Sequence, residues 1–175
     1  MNRNAFAVMA AALVMLAITG TRADVSVTIN GPGGSVTLLE RDTQTQKWRV
    51  ELLATDTEDP VEFIVTGTSS DPIEFIKVRA ENQGQSVHLY VRGESPSPGQ
   101  LPSVDLIDAT VKDGGVVLEE LRVSGNVGDI SVQAIKEFIF IGGDLTGTVF
   151  LEGTPLWRAK LFRSTSPATC SARSG

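Results

Sequence analysis

From residue 24 onward, apolar and polar positions alternate with period two. Val25, Val27 and Ile29 take every second place, as do Trp48, Val50 and Leu52, then Val61, Phe63 and Val65, then Val87, Leu89 and Val91. Alternation of this kind, in segments rich in Val, Ile, Phe and Thr, describes strands with one face on a core and the other toward water. Turn clusters separate the runs: NGPGGS (30–35), DTEDP (56–60), SSDP (69–72) and ENQGQ (81–85). Their Gly, Pro, Asn and Asp supply the backbone geometries that reverse a chain. No segment holds apolar residues at i, i+3, i+4 and i+7 long enough to make a secure helix. The predicted class is all-β.

A second pattern lies in the C-terminal half. The phrase SGNVGDISV (124–132) is followed eighteen residues on by GGDLTGTVFL (142–151). Aligning the two pairs Leu121 with Ile139, Val123 with Ile141, Gly125 with Gly143, Asn126 with Asp144 and Val127 with Leu145. After a one-residue insertion, Gly128 meets Gly147, Ile130 meets Val149 and Val132 meets Leu151. A degraded third copy can be read from Val104 and Leu106 through KDGG to residues 116–118, and the tripeptide EFI recurs at 62–64, 74–76 and 137–139. One coil of such a repeat cannot bury its own apolar face, whereas stacked coils place equivalent aliphatic residues in register on parallel sheets. Glycine would serve corners that need positive φ or close backbone approach. The pattern therefore predicts parallel β-helix, or β-solenoid, coils in the C-terminal half. The alternative is an antiparallel β-sandwich in which Gly-Asn and Gly-Asp mark hairpin turns.

The segments LRVSGNVGDISV and AIKEFIFIGGDLTGTVFL resemble the coils of exported bacterial parallel β-helix repeat proteins of uncharacterised function. The resemblance spans residues 121–153 and implies a fold and an address, but no activity. Pectate-lyase-like enzymes share this broad architecture and cluster Asp, Arg and Lys on one sheet face. No such cluster maps onto positions of this sequence, so no catalytic residue is carried over.

Residues 1–23 do not fit the strand pattern. A short positive start (Arg3) precedes an apolar run over residues 5–18, then small and polar residues with Thr21 and Ala23 spaced for cleavage before Asp24. That is the layout of a secretory signal peptide, and the run is shorter than the roughly 20 apolar residues of a membrane span. The expected plan is a signal peptide at 1–23, an N-terminal β-strand region at 24–91 and a Pro/Ser-rich linker or loop at 92–103. A β-repeat region at 104–162 and a disordered polar tail at 163–175 complete it. Within the repeat region, residues 156–162 are expected to close the core with Trp157 buried. The implied location is extracellular, cell-surface or periplasmic, with no stable membrane span after cleavage.

Charge narrows the partners. The net charge of −6 becomes −8 once Arg3 and Arg22 leave with the leader, which disfavours nucleic acid and anionic lipid. Polysaccharide, another surface protein, or a second copy meeting the C-terminal coil remain as partners. Cys170 is the one cysteine and lies in the polar tail, so no disulfide framework is expected.

Candidate chemistry is sparse. His88, the one histidine, alternates with Val87, Leu89 and Val91 and so reads as an outward, solvated residue. A lone histidine and a lone cysteine exclude the usual zinc and iron sites. Paired carboxylates for glycoside chemistry could come from Asp105, Asp108, Asp113, Asp129 and Asp144, yet Asp113 and Asp144 adjoin turn glycines, where Asp is expected for backbone reasons. Asp56, Glu58 and Asp59 could hold calcium loosely but lack EF-hand spacing. Residues 31–34, GPGG, lack the Gly-Lys-Ser/Thr of a phosphate loop, and Pro32 removes a donor, so a hairpin loop is expected. Trp48, Tyr90 and Trp157 could form a sugar platform, but Trp48 is in phase with core positions. No catalytic, cofactor-binding or metal residue is assigned, and no cofactor is expected. The sequence points to an exported, non-enzymatic structural or adhesive β-repeat protein of unknown ligand. A carbohydrate-active β-helix lyase or hydrolase, incomplete in this chain, or a glycan-binding module, is the alternative.

Overall fold

The computed structural model describes residues 25–55, 59–81, 84–94, 101–110, 116–152 and the strand 160–163. The leader reading of residues 1–23 and most of the polar tail, with Cys170, lie outside the described residues. So do Trp157, Asp56, Glu58 and Asp113.

The described chain is all-β. Its strands are β1 (Ser26–Asn30), β2 (Gly34–Arg41), β3 (Trp48–Ala54), β4 (Val61–Gly67), β5 (Ile73–Ala80) and β6 (Ser86–Gly93). They continue with β7 (Val104–Ala109), β8 (Val117–Val123), β9 (Val127–Val132), β10 (Ala134–Ile141), β11 (Val149–Leu151) and β12 (Lys160–Arg163). Arg163 thus belongs to a strand and not to the tail expected from residue 163.

Two six-stranded sheets form, with orders β1-β4-β6-β8-β10-β12 and β11-β9-β7-β5-β3-β2. From β3 on, successive strands pass from one sheet to the other, and from β5 on each pairs in parallel with the strand two before it. Only β1 with β4 and β2 with β3 are antiparallel, so both sheets are mixed. The glycine-rich residues 31–34 therefore do not close a hairpin. They carry the chain from β1 in one sheet to β2 in the other, with Gly31 and Gly33 at positive φ. β6, which the Pro/Ser-rich stretch at 92–103 follows, lies in the first sheet, and β7, which comes after it, lies in the second. Strands before and after it are neighbours, β5 beside β7 and β6 beside β8.

The core is a set of aliphatic columns between the sheets. In the first sheet, inward positions stack as Val61–Val87–Leu118–Ile135, Phe63–Leu89–Leu121–Ile139 and Val65–Val91–Val123–Ile141. In the second they stack as Trp48–Ile73–Val104–Val127 and Val50–Ile76–Ile107–Ile130–Val149. Nearly all of these side chains are buried, and each such Val, Leu or Ile contributes about 1.5–3 kcal/mol relative to exposure.

The two repeated phrases lie side by side. Ile139 neighbours Leu121, Ile141 neighbours Val123, Leu145 bridges to Val127, and Val149 and Leu151 neighbour Ile130 and Val132. Their glycines serve close approach rather than positive φ. A Cβ on Gly143 would meet the carbonyl carbon and oxygen of Gly125 at 2.6 Å. Side chains tie the corners together as well. Asn126 Oδ1 accepts from the Asp144 N–H at 2.9 Å, and Asp129 Oδ1 from the Thr148 N–H at 2.8 Å. The proposed third copy is out of phase: Val104 neighbours Val127, not Leu121, so β7 matches the second strand of the phrase.

Candidate functional site

The outer face of the first sheet carries a compact group of ionisable and aromatic side chains, and a break in the period-two pattern builds it. Leu118 and Leu121 in β8 both face the core, three residues apart. Strict alternation would turn one of them outward. Instead β8 bulges against β6: Val87 neighbours Leu118, and His88 neighbours Glu120, leaving Glu119 as the extra residue. A bulge of this kind re-aims side chains. Both carboxylates then face the imidazole, with Glu119 at 3.4 Å from His88 Nε2 and Glu120 at 3.6 Å from Nδ1. In β10 the inward residues Ile135 and Ile139 stand four apart, with Lys136, Glu137 and Phe138 between them, and Phe138 falls beside Glu120.

The group is closed by hydrogen bonds. The Tyr90 hydroxyl donates to Glu120 Oε2 at 2.6 Å, and Arg122 Nε donates to Glu120 Oε1. Lys136 Nζ donates to Glu119 Oε1 at 2.6 Å. The Arg122 guanidinium also sits 5.0 Å from the centre of the Phe138 ring, a cation–π contact. His88 is outward as its alternation predicts, yet it is not a free surface residue. Its side chain is 23% exposed, enclosed by Glu119, Glu120 and Tyr90.

Electrostatics fix the protonation states. Burial pushes the Glu119 carboxyl up, but hydrogen bonds from Lys136 and Ser86 outweigh this and hold it below the ordinary value. Glu120 behaves alike, with burial outweighed by hydrogen bonds from Tyr90 and Arg122. The Tyr90 phenol is pushed up by burial and then by its bond to Glu120, and Lys136 is raised by its bond to Glu119. General acid catalysis at neutral pH asks for a carboxyl held protonated, and nucleophilic catalysis for a hydroxyl or amine with a lowered pKa. Glu119, Glu120, Tyr90 and Lys136 are all shifted the other way. At neutral pH Glu119 and Glu120 are thus held ionised as acceptors, with Tyr90 and Lys136 held protonated as donors.

No family model, curated protein or solved structure matches this chain. The site is therefore read from its own geometry.

The other sequence candidates are dispersed over the second sheet and its corners. Asp105 pairs with Lys47. Asp108 accepts from the backbone and hydroxyl of Thr110, and Asp129 holds the backbone of Thr148. Asp144 contributes its backbone N–H to Asn126. Among the described residues, no group of three or more His, Cys, Asp and Glu could hold a metal ion, and no helix is long and apolar enough to cross a membrane. Trp48 packs against the core in the second sheet, whereas Tyr90 points outward from the first, so these two do not share a platform. The residues missed from the sequence are Glu119, Glu120, Arg122, Lys136 and Phe138. The available signal was LEEL, an apolar pair three apart inside a period-two segment.

Proposed function

We propose that the chain is an exported, non-enzymatic β-solenoid related to the bacterial β-helix repeat proteins, working as a structural or adhesive module at the cell surface or in the periplasm. The observation that carries this reading is register. Matching positions of the repeated phrases are lateral neighbours on parallel strands, which is how stacked coils would place them. Several of the outward charges on both sheets are paired with one another, and a structural surface needs no more than that. Arg49 is shared by Glu74 at 2.8 Å and Asp42 at 3.0 Å, Lys47 by Asp105, and Lys136 by Glu119.

The test is secretion and turnover together. The whole chain, expressed in a secreting bacterial host, should leave the cytoplasm and leave the length of neutral and acidic polysaccharides unchanged over days. Chain shortening that disappears in Glu120→Gln would overturn the non-enzymatic reading, and retention in the cytoplasm would overturn the exported one.

A further inference from the structure

We propose that the end of the stack formed by β1 and β2 joins a second copy of this chain about a two-fold axis, with β2 pairing antiparallel to its own copy. The contact goes beyond the structural reading above and rests on its exported part at one point, the loss of the leader.

The core is unfinished at this end. Val27 and Ile29 of β1 and Leu39 of β2 are only partly buried, and Val36 is 37% exposed. Val36 nonetheless faces inward, opposite the fully buried Leu52, as Leu39 faces inward opposite Val50. One strand further in, Val50, Leu52, Val61, Phe63 and Val65 are wholly covered. Apolar side chains aimed at a core and left partly uncovered gain by burial against a partner. With the leader removed, only Asp24 precedes Val25, so the chain brings no N-terminal segment of its own to cover them. Residues 164–175 follow β12, at the opposite end of the first sheet.

The edge is also long. β2 has eight residues with no proline and no lysine, and among the described residues no strand pairs with its outer side. Exposed edges are ordinarily blunted by shortness, lysine or proline. The far end follows that rule, with three residues in β11 and four in β12.

Finally, β2 matches itself. Its bulge sets Gly34, Val36, Leu39 and Arg41 opposite the inward residues Ala54, Leu52, Val50 and Trp48 of β3, a pattern symmetric about the Thr37–Leu38 peptide. A two-fold axis beside that peptide lays Val36 against the partner's Leu39 and Leu39 against the partner's Val36, inward on inward. Glu40 then meets the partner's Ser35 and Arg41 the partner's Gly34, so no like charges stand opposite. A slip of one residue would set Val36 and Leu39 against outward positions. Residues 25–41 hold one acid, Glu40, and one base, Arg41, in a chain that carries −6, so two copies meet here with no net charge on either surface. Such an isologous contact closes at two, whereas β2 against the β11 edge of a next copy would run on as a filament.

The experiment is light scattering on the protein purified from a secreting host, eluting from a sizing column, with the N-terminal residue read on the same sample. A dimer is expected at micromolar concentration. Val36→Lys should weaken dimerisation about a hundredfold or more, because the axis counts every substitution twice. Leu38→Lys, opposite Glu51 and outward, should also yield monomer with an unchanged circular dichroism spectrum, and it decides the matter if Val36→Lys fails to fold. Phe150→Lys, at a residue 55% exposed on β11, should leave the dimer intact. A monomeric parent overturns the proposal whichever residue it begins with. So does assembly that grows past two, a dimer that survives Leu38→Lys, or one that Phe150→Lys dissociates. A monomer beginning at Asp24 leaves the exported reading standing, whereas a dimer that begins at Met1 and is dissociated by Leu38→Lys overturns the leader and keeps the contact.

Discussion

Leu121→Ala should cost the fold about 3–4 kcal/mol, whereas Phe140→Ala, which removes a larger side chain, should cost about 1 kcal/mol or less. Leu121 is fully buried and sits between Leu89 and Ile139 in one inward column. Truncation loses about 2 kcal/mol of transfer free energy for the methyl and methylene groups removed. A cavity term adds to it, because parallel ladders on both sides hold β8 at fixed spacing from β6 and β10 and prevent collapse. Phe140 points the other way and is 37% exposed. Urea unfolding followed by far-ultraviolet circular dichroism gives both numbers as midpoint shifts at unchanged slope. In a thermal scan the Leu121 variant should melt about 10 °C lower. Side-chain size alone predicts the reverse order. Equal costs, or a larger cost at Phe140, would mean that the inward and outward faces of the sheet are wrongly assigned.

Three further outcomes follow from the same geometry. Gly143→Ala drives a Cβ into the Gly125 backbone at 2.6 Å and should cost about 2–3 kcal/mol by urea titration; a neutral result would refute the close packing of the repeated corners. Glu119 and Glu120 have folded-state pKa values below the ordinary 4.5, so their contribution to stability is complete above about pH 4.5 and is lost as pH falls through the folded values. The double variant Glu119→Gln, Glu120→Gln should flatten that acid limb, and an unchanged limb would remove these carboxyls from the account. Protein recovered from outside the cytoplasm should begin at Asp24 by N-terminal sequencing, and an intact Met1 would refute the leader reading.

The inward residues were legible because burial enforces period two wherever a strand has one face on a core. Val61, Phe63 and Val65, or Val87, Leu89 and Val91, point inward as their alternation predicts. The pairing of Leu121 with Ile139 was legible for a different reason: lateral neighbours in parallel strands share one environment and so come to share one residue class. The path from β1 to β2 was not legible. Gly and Asn at a corner supply the same backbone freedom whether the chain folds back on its own sheet or crosses to the facing one, and only the pairing of β1 with β4 decides between them.

The candidate site was hidden for a reason that also explains why it exists. Between matching inward residues the first sheet fans out. β6 places His88 alone between Val87 and Leu89, β8 places Glu119 and Glu120 between Leu118 and Leu121, and β10 places three residues between Ile135 and Ile139. The inward columns stay in register, so the surplus residues of each strand must crowd outward. That crowding sets two carboxylates against one imidazole and brings Lys136 and Phe138 within reach of Glu119 and Arg122. A regular strand could not do this, because successive outward residues would stand nearly 7 Å apart along it. In the sequence the same feature removes the alternation by which an outward face is recognised. The second sheet changes spacing once, from β3, with Arg49 alone between Trp48 and Val50, to β5, with Glu74 and Phe75 between Ile73 and Ile76, and there Arg49 meets Glu74; β5 and β7 then carry equal surpluses and that part of the face stays even. An apolar pair three apart therefore marks a bulge, and a change in that spacing from one strand to the next marks where the surface is built to differ.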